Sequence, residues 1–482
     1  MILALVPASV ALVAVFPPQG ISWSQLWLAL ALVWLGLAPG LMRWIGPDRP
    51  ELPLFEVSCL FYAICFGLPV LLAGVVFPDS GNIWFYNVHL AGRGAIGSER
   101  ALVLLIAGVA LYEAAFYATR PSLVRGLPAL RLGEAGGPVR RWALLGLLLA
   151  AALAYDFIPW VRTLPSIGQF LGPVLFLPLG MLYVDWRRGR LHAWIAVPLL
   201  AILVPAIVLN RLETGFLTPL LMVLLFFFFA RWRVRQRPSL GLLAVALVSA
   251  VALYAAIASY RGAAEKEPQA GLAEKTRLLA EVTADVWDKP TLPNTPAVSS
   301  YYRRNRLVLP LQRLALVRVM SNVVERTPSQ VPYWRGETYR LLLVSWIPRA
   351  LWHGKPEERW GNAFGQRYGL LRDPSDKTSV NIPWIVETYV NFGVAGLIIG
   401  MTLIGVMMAA LDAMFNRRGL SDLEAVAGLT VIFPLVYQES NLSVMCGSLL
   451  PLVLCLLAYF RLGFAAGLPA RSRTNSTAVP KP

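Results

Sequence analysis

The residues able to do chemistry gather in one run, 344–401, where a polar, charge-rich segment passes directly into an apolar helix of bilayer-crossing length. Its first part, IPRALWHGKP (347–356), holds Arg349, His353 and Lys355. Its second, PWIVETYVNFGVAG (383–396), holds Glu387, Tyr389 and Asn391 at the mouth of that helix. Two more arginines close apolar runs: Arg211, in the turn Asn210-Arg211-Leu212-Glu213-Thr214-Gly215, and Arg261, in Ser259-Tyr260-Arg261-Gly262. A guanidinium offers a planar fork of donors that fits phosphate oxygens and never deprotonates. A carboxylate or imidazole takes the proton of an attacking hydroxyl. Such a set points to chemistry on an anionic group at a membrane face.

The elements that must position these groups are membrane spans. The chain of 482 residues is 57% hydrophobic, with mean hydropathy +0.60, well above a soluble domain, whose apolar share is about half with glycine counted. A hydrocarbon core about 30 Å thick needs roughly 17 to 25 apolar residues as helix. That length test places spans near 2–16, 22–42, 54–77, 101–118, 142–158, 167–185, 191–209, 216–230, 239–259, 385–411, 424–437 and 442–460. The fold class expected is therefore all-α, a polytopic transmembrane helical bundle of about 12 spans. Residues 1–259 carry the first nine spans, 260–384 form a large loop, 385–460 carry the last three, and 461–482 are a tail too polar to fold. The first apolar run lacks a basic leader and a small-residue cleavage site, so it reads as a span rather than a signal peptide.

Arginine distribution sets the orientation. One series of short connections holds Arg43, Arg49, Arg120, Arg125, Arg131, Arg140, Arg141, the Arg187 to Arg190 and Arg231 to Arg237 groups, Arg417 and Arg418; the opposite series holds only Arg93, Arg100, Arg162 and Arg211. Cytoplasmic loops carry the basic excess, which puts both termini in the cytoplasm and 260–384 outside. Tryptophans 142, 160, 186, 232 and 384 fit an interfacial belt. The loop is too long to be a plain connection. Leu278, Leu279, Val282, Val286 and Trp287 recur at helical spacing, so an amphipathic helix ends before Pro290. After TLPNTP (291–296), Arg303, Arg304, Arg306, Arg313 and Arg318 among Leu307, Leu311, Leu314 and Val317 read as a basic amphipathic helix lying on the bilayer surface. The apolar piece 341–347 is too short to cross and reads as interfacial or re-entrant.

The pairing of IPRALWHGKP with PWIVETYVNFGVAG, after many spans and one large outer loop, resembles the O-antigen polymerase (Wzy-type) family of bacterial polysaccharide polymerases. The resemblance covers the last third of the outer loop and the helix after it, and elsewhere the layout of spans. It implies a metal-independent glycosyltransferase of the bacterial inner membrane without a cofactor. Such an enzyme joins undecaprenyl-diphosphate-linked oligosaccharide repeat units at the periplasmic face, the acceptor hydroxyl attacking the donor's anomeric carbon as the lipid diphosphate leaves. Its expected partners are that lipid-linked glycan, the bilayer, a chain-length regulator and a flippase. The departing diphosphate needs cations in a water-poor site, and Arg211, Arg261, Arg349 and Lys355 are the expected clamp. The hydroxyl needs a base: Glu387 first, with His353, Glu213 and Glu439 as alternatives. Tyr389 and Asn391 are the expected glycan contacts. Each residue also has a plainer role. Arg211 and Arg261 can reach the headgroups from span ends, and Glu387 can complement the dipole of a helix first turn.

Other functions lack their residues. No Gly-rich loop ending in Lys-Ser/Thr supports nucleotide hydrolysis. The DxD pattern of metal-dependent nucleotide-sugar transferases is missing, and Asp373 and Asp376 flank a Pro-Ser turn. His89, His192 and His353 are scattered, and Cys59, Cys65, Cys446 and Cys455 sit in apolar segments, so neither a metal site nor a disulfide framework is indicated. The net charge of +16 is dealt out loop by loop rather than gathered into a nucleic-acid face. Two rivals remain. An O-antigen ligase shares the layout and would depend on His353; a lipid-linked oligosaccharide transporter, from another class, would need polar groups midway along its spans and an internal repeat, and the uniformly apolar spans with one dominant loop speak against it.

Overall fold

The computed structural model describes residues 21–45, 51–73, 84–85, 88–89, 97–134, 137–164, 167–212, 218–235, 241, 244–246, 248–249, 252–254, 256–257, 260, 272–288, 307, 309–347, 349, 351–356, 358–371 and 379–465. In lipid every backbone N–H and C=O must be satisfied within its own segment, which leaves helices as the economical solution for a chain this apolar. In chain order the principal helices are α1 (Trp23–Ile45), α2 (Leu54–Leu71), α3 (Glu99–Gly126), α4 (Gly137–Phe157), α5 (Phe176–Arg187), α6 (Ala193–Leu212), α7 (Thr218–Arg235), α8 (Leu272–Asp288), α9 (Val317–Arg326), α10 (Trp360–Arg367), α11 (Trp384–Phe415), α12 (Asp422–Ile432) and α13 (Leu449–Ala465). Among the described residues the only strands are Trp84–Phe85 and Val88–His89, paired antiparallel. Seven stretches are long and apolar enough to cross a membrane: α1, α2, α3, α4, α6, α11 and Leu442–Ala465, which contains α13.

Several expected spans take a different form. The run 167–185 divides into Ile167–Val174 and α5, because Pro178 has no N–H for the Val174 carbonyl. The run 424–437 is helical only as α12 and then tightens to 3₁₀ over Phe433–Val436, with Pro434 at its start. The span expected at 2–16 lies outside the described residues, and that at 239–259 falls partly outside them. Within 260–384, α8 matches the expected amphipathic helix. The described part of the basic helix does not lie on a surface. It forms Leu309–Leu314 and α9, and Val317, Met320 and Val323 of α9 enter the main apolar cluster with α1, α2, α3 and α11.

The largest departure is inside α11. Phe392 (φ −141°, ψ 17°) and Gly393 (φ 64°, ψ −142°) interrupt it. In an unbroken helix Thr388 and Gly400 would be about 18 Å apart. Here a Cβ on Gly400 would lie 2.4 Å from Thr388 Cγ2, and one on Gly396 would lie against the Thr388 carbonyl. The helix therefore doubles back. A short limb, 384–391, packs antiparallel to a long limb, 394–415, that is itself of spanning length. Gly393 makes the reversal because an L side chain rarely adopts its φ, and a Cβ there would also strike the Tyr333 hydroxyl. The long limb bares Ile399 and Leu403, whereas Trp384, Glu387 and Tyr389 on the short limb are wholly buried. Trp384 thus belongs to the interior, not to an interfacial belt. Both limbs pack on α3, where Gly108 faces Ile385 and Leu397 and Gly405 meets the Tyr112 carbonyl. A second apolar cluster joins α5, α7, α12 and α13.

Candidate functional site

The reversal leaves the last carbonyls of the short limb without helical partners. A loop supplies them: Trp334 N–H donates to the Val390 carbonyl (3.1 Å) and Arg335 N–H to that of Asn391 (3.0 Å). The Asn391 side chain completes the clamp. Its Oδ1 accepts from Gly336 N–H (2.9 Å), and its Nδ2 donates to Thr338 Oγ1 (2.8 Å) and to the Glu387 carbonyl (2.8 Å). Asn391 is fully buried and spends its amide on the protein rather than on a sugar. Tyr389 is equally buried. Both expected glycan contacts are interior residues.

A second interrupted helix meets the short limb. After the 3₁₀ turn the chain runs irregularly through Tyr437-Gln438-Glu439-Ser440-Asn441 before the short helix Leu442–Cys446. Irregular backbone within a bundle persists only where protein groups satisfy it, and they do so here. Trp384 N–H donates to the Gln438 carbonyl (3.4 Å). Gln438 Nε2 donates to Tyr112 Oη (3.1 Å), its Oε1 accepts from the Tyr62 hydroxyl, and Ser58 Oγ lies 2.6 Å from Tyr112 Oη. Glu439 is ion-paired with Arg313. Tyr112 lies midway along α3 and Gly405 midway along the long limb, so this polar junction sits in the middle of the bundle.

Three carboxylates converge on the junction. Glu387 Oε2 accepts from Leu442 N–H (2.7 Å), capping the short helix, with its side chain closed off from solvent. Glu358, half-buried, receives hydrogen bonds at Oε1 from Asn441 Nδ2 and Ser443 Oγ, the residues on either side of Leu442. Glu439 is the third. Glu358 was not singled out from the sequence. It lies in a polar loop beside Glu357, and only the fold shows that it reaches the junction.

The expected cations separate into two places. Arg349 Nη1 and Nη2 donate to the carbonyls of Lys355 (2.6 Å) and Pro356 (3.1 Å). Lys355 Nζ donates to those of Ser345 (2.7 Å) and Ile347 (2.9 Å). These two close the 345–356 turn, and burial followed by the neighbouring Arg349 charge lowers the Lys355 ammonium below its ordinary value. The turn sits over the junction, with Ser345 against Gly447. Arg211 instead grips Asp156 through two hydrogen bonds (3.0 and 3.1 Å) and the Gly172 carbonyl (3.2 Å), among α4, α5 and α6. Arg261 and Glu213 lie outside the described residues. His353 is exposed at the tip of the turn.

Two arginines missed in the sequence have the freedom that Arg349 lacks. The side chains of Arg335 and Arg340 are exposed and form no ion pair or hydrogen bond among the described residues. Arg335 moreover holds φ +50° to deliver its N–H to Asn391, the single non-glycine residue with positive φ among those described. Such a conformation costs on the order of 1 kcal/mol and favours glycine. Nothing but the fold distinguishes these two from the many other arginines of the loop. Close to them Phe392, which stacks on Tyr339, is exposed; Leu343, Trp346, Val394 and Ile399 are exposed as well.

An open cleft of about 570 Å³ lies at the opposite end of α11, lined by Arg131, Glu134, Glu424 and the turn 419–421. Its charges are already paired, Arg131 with Glu424 at 2.9 Å. Residues 193–417, under half of the chain, match a family described as a domain of unknown function, DUF8712. That stretch includes the reversal in α11, Arg335, Arg340, Glu358 and Glu387. No curated protein and no solved structure matches the chain.

Proposed function

We propose that the chain is a polysaccharide polymerase of the bacterial inner membrane, joining undecaprenyl-diphosphate-linked oligosaccharides at its periplasmic face. In this reading it has about 12 spans, both termini cytoplasmic and 260–384 periplasmic. The resemblance to O-antigen polymerases supports it. The observation that carries it is the pairing, around the short limb of α11, of carboxylates at a junction of interrupted helices with the exposed guanidiniums of Arg335 and Arg340 and the exposed ring of Phe392. An isoprenoid diphosphate needs that combination: lipid-facing apolar surface for the chain, and cations for the charge that grows on the leaving group. Arg335 and Arg340 are the cations with donors to spare. Arg349 and Lys355 shape the turn beside the junction.

Purified protein in nanodiscs, given authenticated lipid-linked repeat units, is expected to produce a ladder of longer glycans. Wild-type protein that produces none overturns the reading. A ligase would instead pass the glycan to a lipid A core acceptor and lose activity with His353→Ala.

One observation favours a second reading. Two interrupted helices meeting at polar groups midway through a bundle is also how transporters build their sites. A lipid-linked oligosaccharide transporter would move labelled substrate across proteoliposomes without lengthening it.

A further inference from the structure

We propose that Glu358 is the general base of this transfer and that Glu387 positions it; the inference rests on the polymerase reading. A base must be held, yet keep a lone pair open to the substrate. Glu387 meets only the first condition, being fully buried with Oε2 on Leu442 N–H. Glu358 meets both. Its Oε1 is fixed by Asn441 and Ser443, its Oε2 has no partner among the described residues, and the residue is partly exposed. The two acids are coupled through one short stretch. By fixing Leu442, Glu387 sets where Asn441 and Ser443 stand, and these set the Glu358 carboxylate. Lys355 lies within electrostatic reach of Glu358.

In the step itself the acceptor oxygen bonds to the donor's anomeric carbon while its proton passes to Glu358 Oε2. The bond from that carbon to the diphosphate oxygen breaks, and its electron pair leaves with the lipid diphosphate. Glu358 then returns the proton to water.

The test uses full-length protein in nanodiscs and azide, a nucleophile that carries no proton to remove. Glu358→Gln is expected to lower kcat by about a hundredfold or more with KM little changed, the usual contribution of a general base. Glu358→Ala with azide is expected to release lipid diphosphate and form a glycosyl azide of inverted configuration. Glu387→Gln, still able to accept from Leu442 N–H, is expected to stay within about tenfold of wild type. The proposal fails if Glu358→Gln remains within about threefold of wild type. It also fails if Glu358→Ala is inactive and azide restores nothing, as a purely structural role would give, or if azide rescues Glu387→Ala instead. A wild-type protein making no ladder is a separate outcome, and removes the polymerase reading first.

Discussion

The two ends of α11 differ in how fully their cations are paired with acids. At the end near Phe415, arginines meet carboxylates: Arg120 pairs with Asp412 (2.5 Å), Arg43 with Glu56 (2.8 Å), and Asp422 gathers Arg188, Arg190 and Arg233. Asp185 joins Arg141 and Arg190 to the same network. At the end near Gly393 the pattern is mixed: Arg313 pairs with Glu439 and Arg367 with Glu337 (3.0 Å), Arg349 and Lys355 are turned onto backbone carbonyls, and the Arg335 and Arg340 side chains have no partner among the described residues. Paired charge of the first kind holds helices in register. Unpaired charge on a clamped loop does little for the fold and is available to an anionic ligand.

Asp422→Ala should have the largest effect, because it removes the acid shared by Arg188, Arg190 and Arg233, leaving Arg190 on Asp185 and Arg233 on Glu51. Removing one partner of a buried ion pair costs about 3 to 5 kcal/mol, which sets the upper limit here because Arg188 and Arg190 are partly screened by solvent, and a drop in the detergent-solubilised melting temperature of the full chain would register it. An unchanged melting temperature would show that the arginine network is not structural glue. Gly393→Ala comes next, at about 2 kcal/mol or more, from a β-carbon forced into positive φ and against Tyr333. If it melts like wild type, the doubling-back of α11 is wrong.

Arg335→Ala combined with Arg340→Ala should separate the two ends most sharply. Stability is expected to stay within about 0.5 kcal/mol, as for surface changes remote from packed features, while glycan lengthening falls at least about tenfold. Arg335→Gly alone is expected to raise stability by a few tenths to about 1 kcal/mol, by relieving the backbone strain. A stability loss on removing either side chain would mean that these arginines belong to the fold after all. The smallest effect concerns pH. Because the Lys355 ammonium is lowered in the folded state, the unfolded chain binds the extra proton between that lowered value and 10.5. Stability should therefore rise with pH through that window. Lys355→Met is expected to flatten this rise in unfolding measured on the alkaline side.

Composition and span length were enough to read an apolar helical chain, most of its long helices and the amphipathic α8. They were not enough to read direction. Residues 384–411 are apolar throughout, and hydropathy reports what a segment is made of, not whether it turns back at Phe392 and Gly393. Gly393 is one of several glycines in that run, and its φ is invisible in the sequence. The same blindness moved Glu387 from the mouth of a span to the interior, and closed Asn391 and Tyr389 to a ligand. The run Gln438-Glu439-Ser440-Asn441 did carry a signal, since four polar residues between apolar stretches are costly in lipid unless protein surrounds them. Glu358, Arg335 and Arg340 carried none, because their roles come from which partners the fold gives or denies them.

The order of synthesis adds a constraint of its own. Residues 384–391 leave the ribosome before the long limb that will shelter them, and before Leu442, whose amide Glu387 receives. Until both have emerged, this octapeptide has nowhere stable to lodge, so the polar junction is assembled among the last parts of the molecule to settle. A chain cut short ahead of Leu442 would lack the stretch Leu442–Ala465 and, with it, the amide that holds Glu387.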